Sequence, residues 1–143
     1  MTIARRHRFR GQAVVEFALV VPLLMMFVFG IIDLGRAIYT YNGVSQAARE
    51  IARATSIHPG SPLGSSAEAR AAVALQKSLV PGMTNPIFHC YDLTNQPVPG
   101  DGSGGCAPPN VVKVEVHAPY TPIASLGLIG PIDIQSVSSN QVQ

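Results

Sequence analysis

Glu16 is the side chain whose position most needs a chemical reason. It lies in the stretch from Arg10 to Asp33, RGQAVVEFALVVPLLMMFVFGIID, where almost every other side chain is apolar. An ionised carboxylate in hydrocarbon costs several kcal/mol, so its chemistry there is charge pairing rather than catalysis. Gln12 stands four residues earlier, about one helical turn away. Were the bond after Gly11 cut, Gln12 would carry the amino terminus and Glu16 would be the fifth residue of the shortened chain. Among parallel helices the carboxylate of one chain would then meet the ammonium of a neighbour, giving the charge a partner. Within its own helix the same carboxylate is favoured by the unpaired N–H groups of the helix start. The alternative is a helix-end carboxylate resting among lipid headgroups.

The remaining reactive side chains form no catalytic constellation. The histidines are His7, His58, His89 and His117, and the two cysteines are Cys90 and Cys106. A metal site can be drawn from His89, Cys90, Cys106 and His117, but the close paired spacing of zinc ligands is missing. There is no G-x-S-x-G, no H-E-x-x-H and no nucleotide-binding glycine loop. The run GDGSGG, Gly100 to Gly105, has no lysine and no helix after it, so it reads as a flexible tip. Asp33 and Arg36, three apart, are expected to form an interfacial ion pair where the helix leaves lipid. Arg49 and Arg53 beside Glu50 read as a solvated helix face, with anionic headgroups or an acidic partner patch as the alternative. No enzyme activity, metal, cofactor or small-molecule substrate is expected.

The elements that position these residues follow from composition and period. Of 143 residues 47% are hydrophobic and only 13% charged, which is lean in charge for a soluble domain. Four of the ten Lys and Arg residues (Arg5, Arg6, Arg8, Arg10) precede Gly11 and all eight acids follow it, so the rest carries six basic against eight acidic residues. The basic character belongs to the leader and argues for membrane orientation rather than nucleic-acid binding. The twenty residues from Ala13 to Ile32 make a helix of roughly 30 Å, enough to cross a bilayer. Only Arg36 is basic close beyond it, so the positive-inside rule leaves the N-terminus in the cytoplasm. Cleavage by ordinary signal peptidase at Gly35-Arg36-Ala37 is the competing reading; against it, the apolar run is long and contains Glu16.

Beyond the span a stripe of Leu34, Ala37, Ile38, Tyr41, Val44, Ala48, Ile51, Ala52 and Thr55 recurs at three and four. It predicts one helix from about Ala13 to Ile57, bent by Pro22, with this stripe packed on the domain that follows and a subunit-subunit role for part of it compatible with that. The linker HPGSPLGSS ends it. Ser65 with Glu68 predicts a capping box opening a second helix through about Val80. Period-two patterns then predict strands from Ile87 to Leu93, Val111 to Tyr120 and Ile132 to Val137, hence a half-buried antiparallel sheet. The run ASLGLIGP before the last strand is a loop, too short for a second span. Between the first two strands TNQPVPGDGSGGCAPPN is a surface loop, and Cys90 and Cys106 at its ends face an oxidising compartment, so a disulfide is expected. The fold class is α+β.

The basic leader, Gly11, Glu16 five residues later and the long apolar helix together resemble the class III signal of type IV prepilins, which an aspartyl prepilin peptidase cuts after the glycine. GQAVVEFALVVPLL, FGIIDLGRAIY and QAAREIAR resemble the recurring segments of the TadE-like family, single-span pseudopilins or minor pilins of the tight-adherence (Tad, Flp) pilus and secretion apparatus. The resemblance covers about the first 55 residues. It implies cleavage between Gly11 and Gln12, an assembly or recognition role for Glu16 with Phe17, and an inner-membrane protein whose partners are lipid, the peptidase and other pilin-like subunits. The abundant Flp pilin is similar to a much shorter chain with Glu-Tyr at the signal, so Phe17 and the attached domain favour a minor component. The expected parts are a cytoplasmic leader (1–11), a membrane helix (12–32), its amphipathic extension (33–57) and an exported domain (58–143). An unprocessed membrane-anchored scaffold or adhesion module is the alternative.

Overall fold

The computed structural model describes residues 8–60, 62–98, 106–123 and 130–143. The leader arginines Arg5 and Arg6, the GDGSGG tip and most of ASLGLIGP lie outside the described residues. Five elements follow one another: α1 (Arg8–Ile57), α2 (Ala67–Leu79), β1 (Ile87–Tyr91), β2 (Val111–Tyr120) and β3 (Ile132–Gln141). The α+β reading is borne out: a long apolar helix, a short second helix, a three-stranded antiparallel sheet and the Cys90–Cys106 disulfide.

α1 is a single helix of 50 residues, roughly 75 Å long. It is already helical at Arg8, five residues before the expected start, and continues through Pro22. Its N-terminal half, apolar apart from Gln12 and Glu16 over residues 11–32, is not buried by any other part of the described chain; Gly11–Ile57 contains the one described helix long and apolar enough to cross a membrane.

The C-terminal half carries the sheet. β2 is central, paired antiparallel with β1 on one side and with β3 on the other. Its inward residues Val112, Val114, Val116 and Ala118 are fully buried against Val44, Ala47, Ala48 and Ile51 of α1, while Lys113, Glu115 and His117 face outward. Full burial of each large aliphatic side chain contributes roughly 1.5–3 kcal/mol, so this one layer supplies most of the cohesion of a small domain.

Three boundaries differ from expectation, each for a local reason. β1 stops at Tyr91 because Asp92 Oδ1 accepts hydrogen bonds from the Thr94 and Gln96 N–H groups (both 2.8 Å), which closes a turn. β3 continues past Val137 to Gln141 because its backbone follows β2 to the Val111–Gln141 pair, whatever its polar side chains. The cap of α2 is Ser66, whose Oγ accepts from Ala69 N at 3.1 Å; Ser65 is engaged in the preceding turn, its N–H bonded to the Pro62 carbonyl. Glu68 therefore sits in the first turn, where its charge favours the helix dipole, and not at the capping-box position. α2 packs on α1, where Gly43 lets Val80 approach; a Cβ there would stand 3.2 Å from Val80 Cγ2.

Candidate assembly face and the Asp33 clasp

Gly11, Gln12, Glu16 and Phe17 all lie on the exposed first turns of α1. Nothing lies within 4 Å of where a Cβ would stand on Gly11, Gly30 or Gly35. A glycine inside a helix costs about 1 kcal/mol relative to alanine, and no contact among the described residues compensates for it at these three positions.

Two sides of α1 are distinguished beyond Ile32, where the apolar stretch ends. One carries Asp33, Ala37, Thr40, Val44, Ala47, Ala48 and Ile51, all buried or half-buried against the domain. Leu34, Ile38 and Tyr41 lie elsewhere, 62%, 53% and 55% exposed. The single stripe expected from the sequence is therefore corrected: its first three large members turn away from the domain. At about 100° per residue, Leu34, Ile38 and Tyr41 lie roughly a quarter to two-fifths of a turn round from Asp33. Glu16 precedes Leu34 by 18 residues, about five helical turns, so it shares their side of the helix.

Asp33 is the buried pivot of the other side, 8% exposed. The Tyr120 hydroxyl is shared between its main-chain carbonyl (2.8 Å) and its Oδ1 (3.1 Å), and Ile123 N donates to Oδ1 at 3.0 Å. Arg36 Nη1 stands 3.5 Å from the same oxygen, and its guanidinium lies over the Tyr120 ring, 5.5 Å from the centroid. The sequence reading paired Asp33 with Arg36 and missed Tyr120 and Ile123. Asp33 four residues before Ala37 and eleven before Val44, in register with the buried side, was the available signal. Burial, and then the bond to Asp33, raises the Tyr120 hydroxyl above its ordinary value. At the far end of α1, Asn140 Nδ2 donates to Ser56 Oγ (2.9 Å) and Gln143 N to the Ser56 carbonyl (3.2 Å). β3 thus lies along α1 from the level of Asp33 to that of Ser56, ten residues of strand against 23 residues of helix rise, each roughly 33–35 Å.

Cys90 and Cys106 form the disulfide, Cα to Cα 5.7 Å, both buried. Their sulfurs are thereby consumed, and among the described residues no three His, Cys, Asp or Glu side chains converge on a metal position. His117 instead bridges the outward sheet face, Nδ1 2.7 Å from Asp133 Oδ2 and Nε2 3.4 Å from Glu115 Oε1. The hydrogen bond to Asp133, with the negative charge of both carboxylates, raises His117 above its ordinary value against the opposing effect of burial. Arg53 pairs with Glu50 at 3.1 Å on the solvated face.

No curated protein and no solved structure gives a significant match. The model of the TadE-like protein family matches residues 11–53, from Gly11 past Asp33 and the exposed Leu34, Ile38 and Tyr41 to Arg53, so that segment is similar to the family that the sequence resemblance named.

Proposed function

We propose that the chain is a minor pilin or pseudopilin that is cut after Gly11 by a prepilin peptidase and assembles laterally through α1 into a Tad pilus or secretion apparatus. The TadE-like match suggests a Tad pilus-associated component, and the apolar helix is consistent with a single-pass anchor. The observation that carries the finer reading is the uncovered face of α1. Inside lipid an apolar helix surface needs no partner, but Leu34, Ile38 and Tyr41 lie beyond Asp33 and remain exposed although the domain is folded alongside. Glu16 lies on that same side. A neighbouring parallel helix covering Leu34, Ile38 and Tyr41 would also run past Glu16, where the new Gln12 ammonium of a subunit one step along gives the carboxylate its partner. Gly30 and Gly35 offer close approach between helices.

In this reading residues 1–11 are the cytoplasmic leader, 12–32 the span in the bacterial inner membrane, 33–57 the helix extension and 58–143 the exported domain. The chain does no chemistry of its own and needs no cofactor.

The test is the intact mass of the membrane-fraction protein made with and without a cognate prepilin peptidase. Loss of Met1 to Gly11 only when the peptidase is present supports the proposal. A full-length chain in both samples leaves the membrane-anchored scaffold as the better account. Glu16→Gln should still be cut but should fail to enter the apparatus; normal incorporation of that variant would remove the charge-pairing argument.

A further inference from the structure

The Asp33 clasp fixes the height of one more apolar surface. Asp33 directly follows Ile32, the last residue of the apolar stretch, so twenty residues of roughly 30 Å bring it to the boundary between hydrocarbon and headgroups. Ile123 N is hydrogen-bonded to Asp33 Oδ1 at 3.0 Å, so the chain leaving β2 is held at that same boundary. Tyr120 is paired with Ile132 across the ladder, which puts the start of β3 there too. Both isoleucines are large, apolar and uncovered, Ile123 57% and Ile132 50% exposed. A bilayer that covers the apolar surface of α1 would meet both side chains at the same level. The half-exposed Arg36, one turn beyond Asp33, stands at the level of lipid phosphates.

We propose that the β2–β3 end of the sheet domain, through Ile123 and Ile132, rests on the bilayer surface as a second lipid contact beside the span. The inference rests on the reading of Ala13–Ile32 as a membrane span. It makes the domain a body seated on the membrane in one orientation, its sheet standing along α1 away from the surface.

The chain has no tryptophan, so a single introduced one reports its own surroundings. Full-length protein in phosphatidylcholine vesicles is compared as three variants: Phe27→Trp within the span, Ile123→Trp at the proposed contact, and Val137→Trp, an exposed position five residues farther along β3 from Ile132, roughly 17 Å from it. Val137→Trp brings the same preference of tryptophan for an interface, so it controls for that bias. Lipids brominated near the headgroup end of the acyl chain should remove about half of the emission at Phe27→Trp and Ile123→Trp, as expected for side chains seated 5–10 Å into the boundary, and leave Val137→Trp to the aqueous quencher acrylamide. Quenching of Phe27→Trp with Ile123→Trp open to acrylamide overturns the contact and leaves the span intact. Protection of Ile123→Trp from both quenchers also overturns it, pointing to cover by another protein surface. Absence of lipid quenching at Phe27→Trp removes the span, and the inference with it.

Discussion

The hydroxyl of Tyr120 stands 2.8 Å from the carbonyl and 3.1 Å from the carboxylate of Asp33, 87 residues away in sequence. That contact joins the end of β2 to α1 immediately beyond the apolar stretch. Because Asp33 Oδ1 also accepts from Ile123 N, removing the carboxylate leaves a buried hydroxyl and a main-chain donor with less than they had. Asp33→Ala is therefore expected to lower stability by about 1–3 kcal/mol in a thermal melt of the detergent-solubilised protein. Asp33→Asn, which keeps an acceptor oxygen, should lose less. An Asp33→Ala protein that melts like the parent would show that the clasp does not couple sheet to helix.

The two sides of α1 should respond oppositely to substitution. Ile51 is fully buried against the sheet, and Ile51→Ala should cost about 2–5 kcal/mol through lost burial and the cavity left behind. Ile38 touches water in the isolated chain, so Ile38→Asp should change stability by no more than about 0.5 kcal/mol. Its effect should appear as loss of site-specific crosslinking between α1 and pilin-like subunits in cells. Marked unfolding of Ile38→Asp would mean that this face already packs within the chain.

Which side of α1 meets the sheet was the part of the fold least legible in the sequence. The period-two alternation of VVKVEVHAPY set β2 to the residue, since an outward Lys, Glu and His between valines allows one pleat only. Continuity of α1 and the pairing of Cys90 with Cys106 were legible for similar reasons of pattern and compartment. Leu34, Ile38 and Tyr41 are as apolar as Val44 and Ile51, however, and period alone cannot divide them. The division comes from Tyr120 and Ile123, which choose the azimuth of Asp33 from about ninety residues away. The second half of β3 was hidden for a different reason: in SSNQ the ladder to β2 is made by backbone, and side-chain pattern carries little of it. For the candidate site, Glu16 was conspicuous as a charge among apolar residues, whereas Asp33 looked like half of a simple ion pair.

His117 should make the sheet's outer face mildly pH-sensitive. Its folded-state value is raised from 6.5 by the hydrogen bond to Asp133. A raised cation contributes stability that is fully present below pH 6.5 and is lost as pH rises through the folded value. Asp133 is more than half exposed, so screening keeps the contribution under ~1 kcal/mol. In Asp133→Asn the imidazole titration followed by NMR should move down toward 6.5, with Glu115 still holding part of the shift. The pH dependence of the melting temperature should flatten with it. An unchanged titration in that variant would show that the pair is not formed in solution.

Thr55 is the one described buried side chain whose polar atom, Oγ1, has no hydrogen-bond partner. It is fully buried on α1 near the Asn140–Ser56 contact. A valine has nearly the same shape and no hydroxyl to desolvate, so Thr55→Val should gain about 1 kcal/mol. A rise of several degrees in melting temperature is the expected readout. A fall would mean that the hydroxyl has a partner in solution, such as an ordered water.

The disulfide should matter to the sheet domain and not to the apolar half of α1. Cys90 pairs with Val112 on the ladder and Cys106 enters the same core, so the bridge ties the long β1–β2 connection to the inner layer of the sheet. With its ends 16 positions apart in sequence, opening it should cost roughly 3 kcal/mol in the chain-entropy account. That is a large share of the stability of a domain with so small a core. Reduction with dithiothreitol, or the double change Cys90→Ser with Cys106→Ser, should therefore lower the denaturant midpoint of the near-ultraviolet signal from the sheet domain's tyrosines. The helical far-ultraviolet signal of α1 in detergent should largely persist, because its N-terminal half leans on no other element of the chain. Joint loss of both signals on reduction would show instead that α1 and the sheet unfold as one cooperative unit.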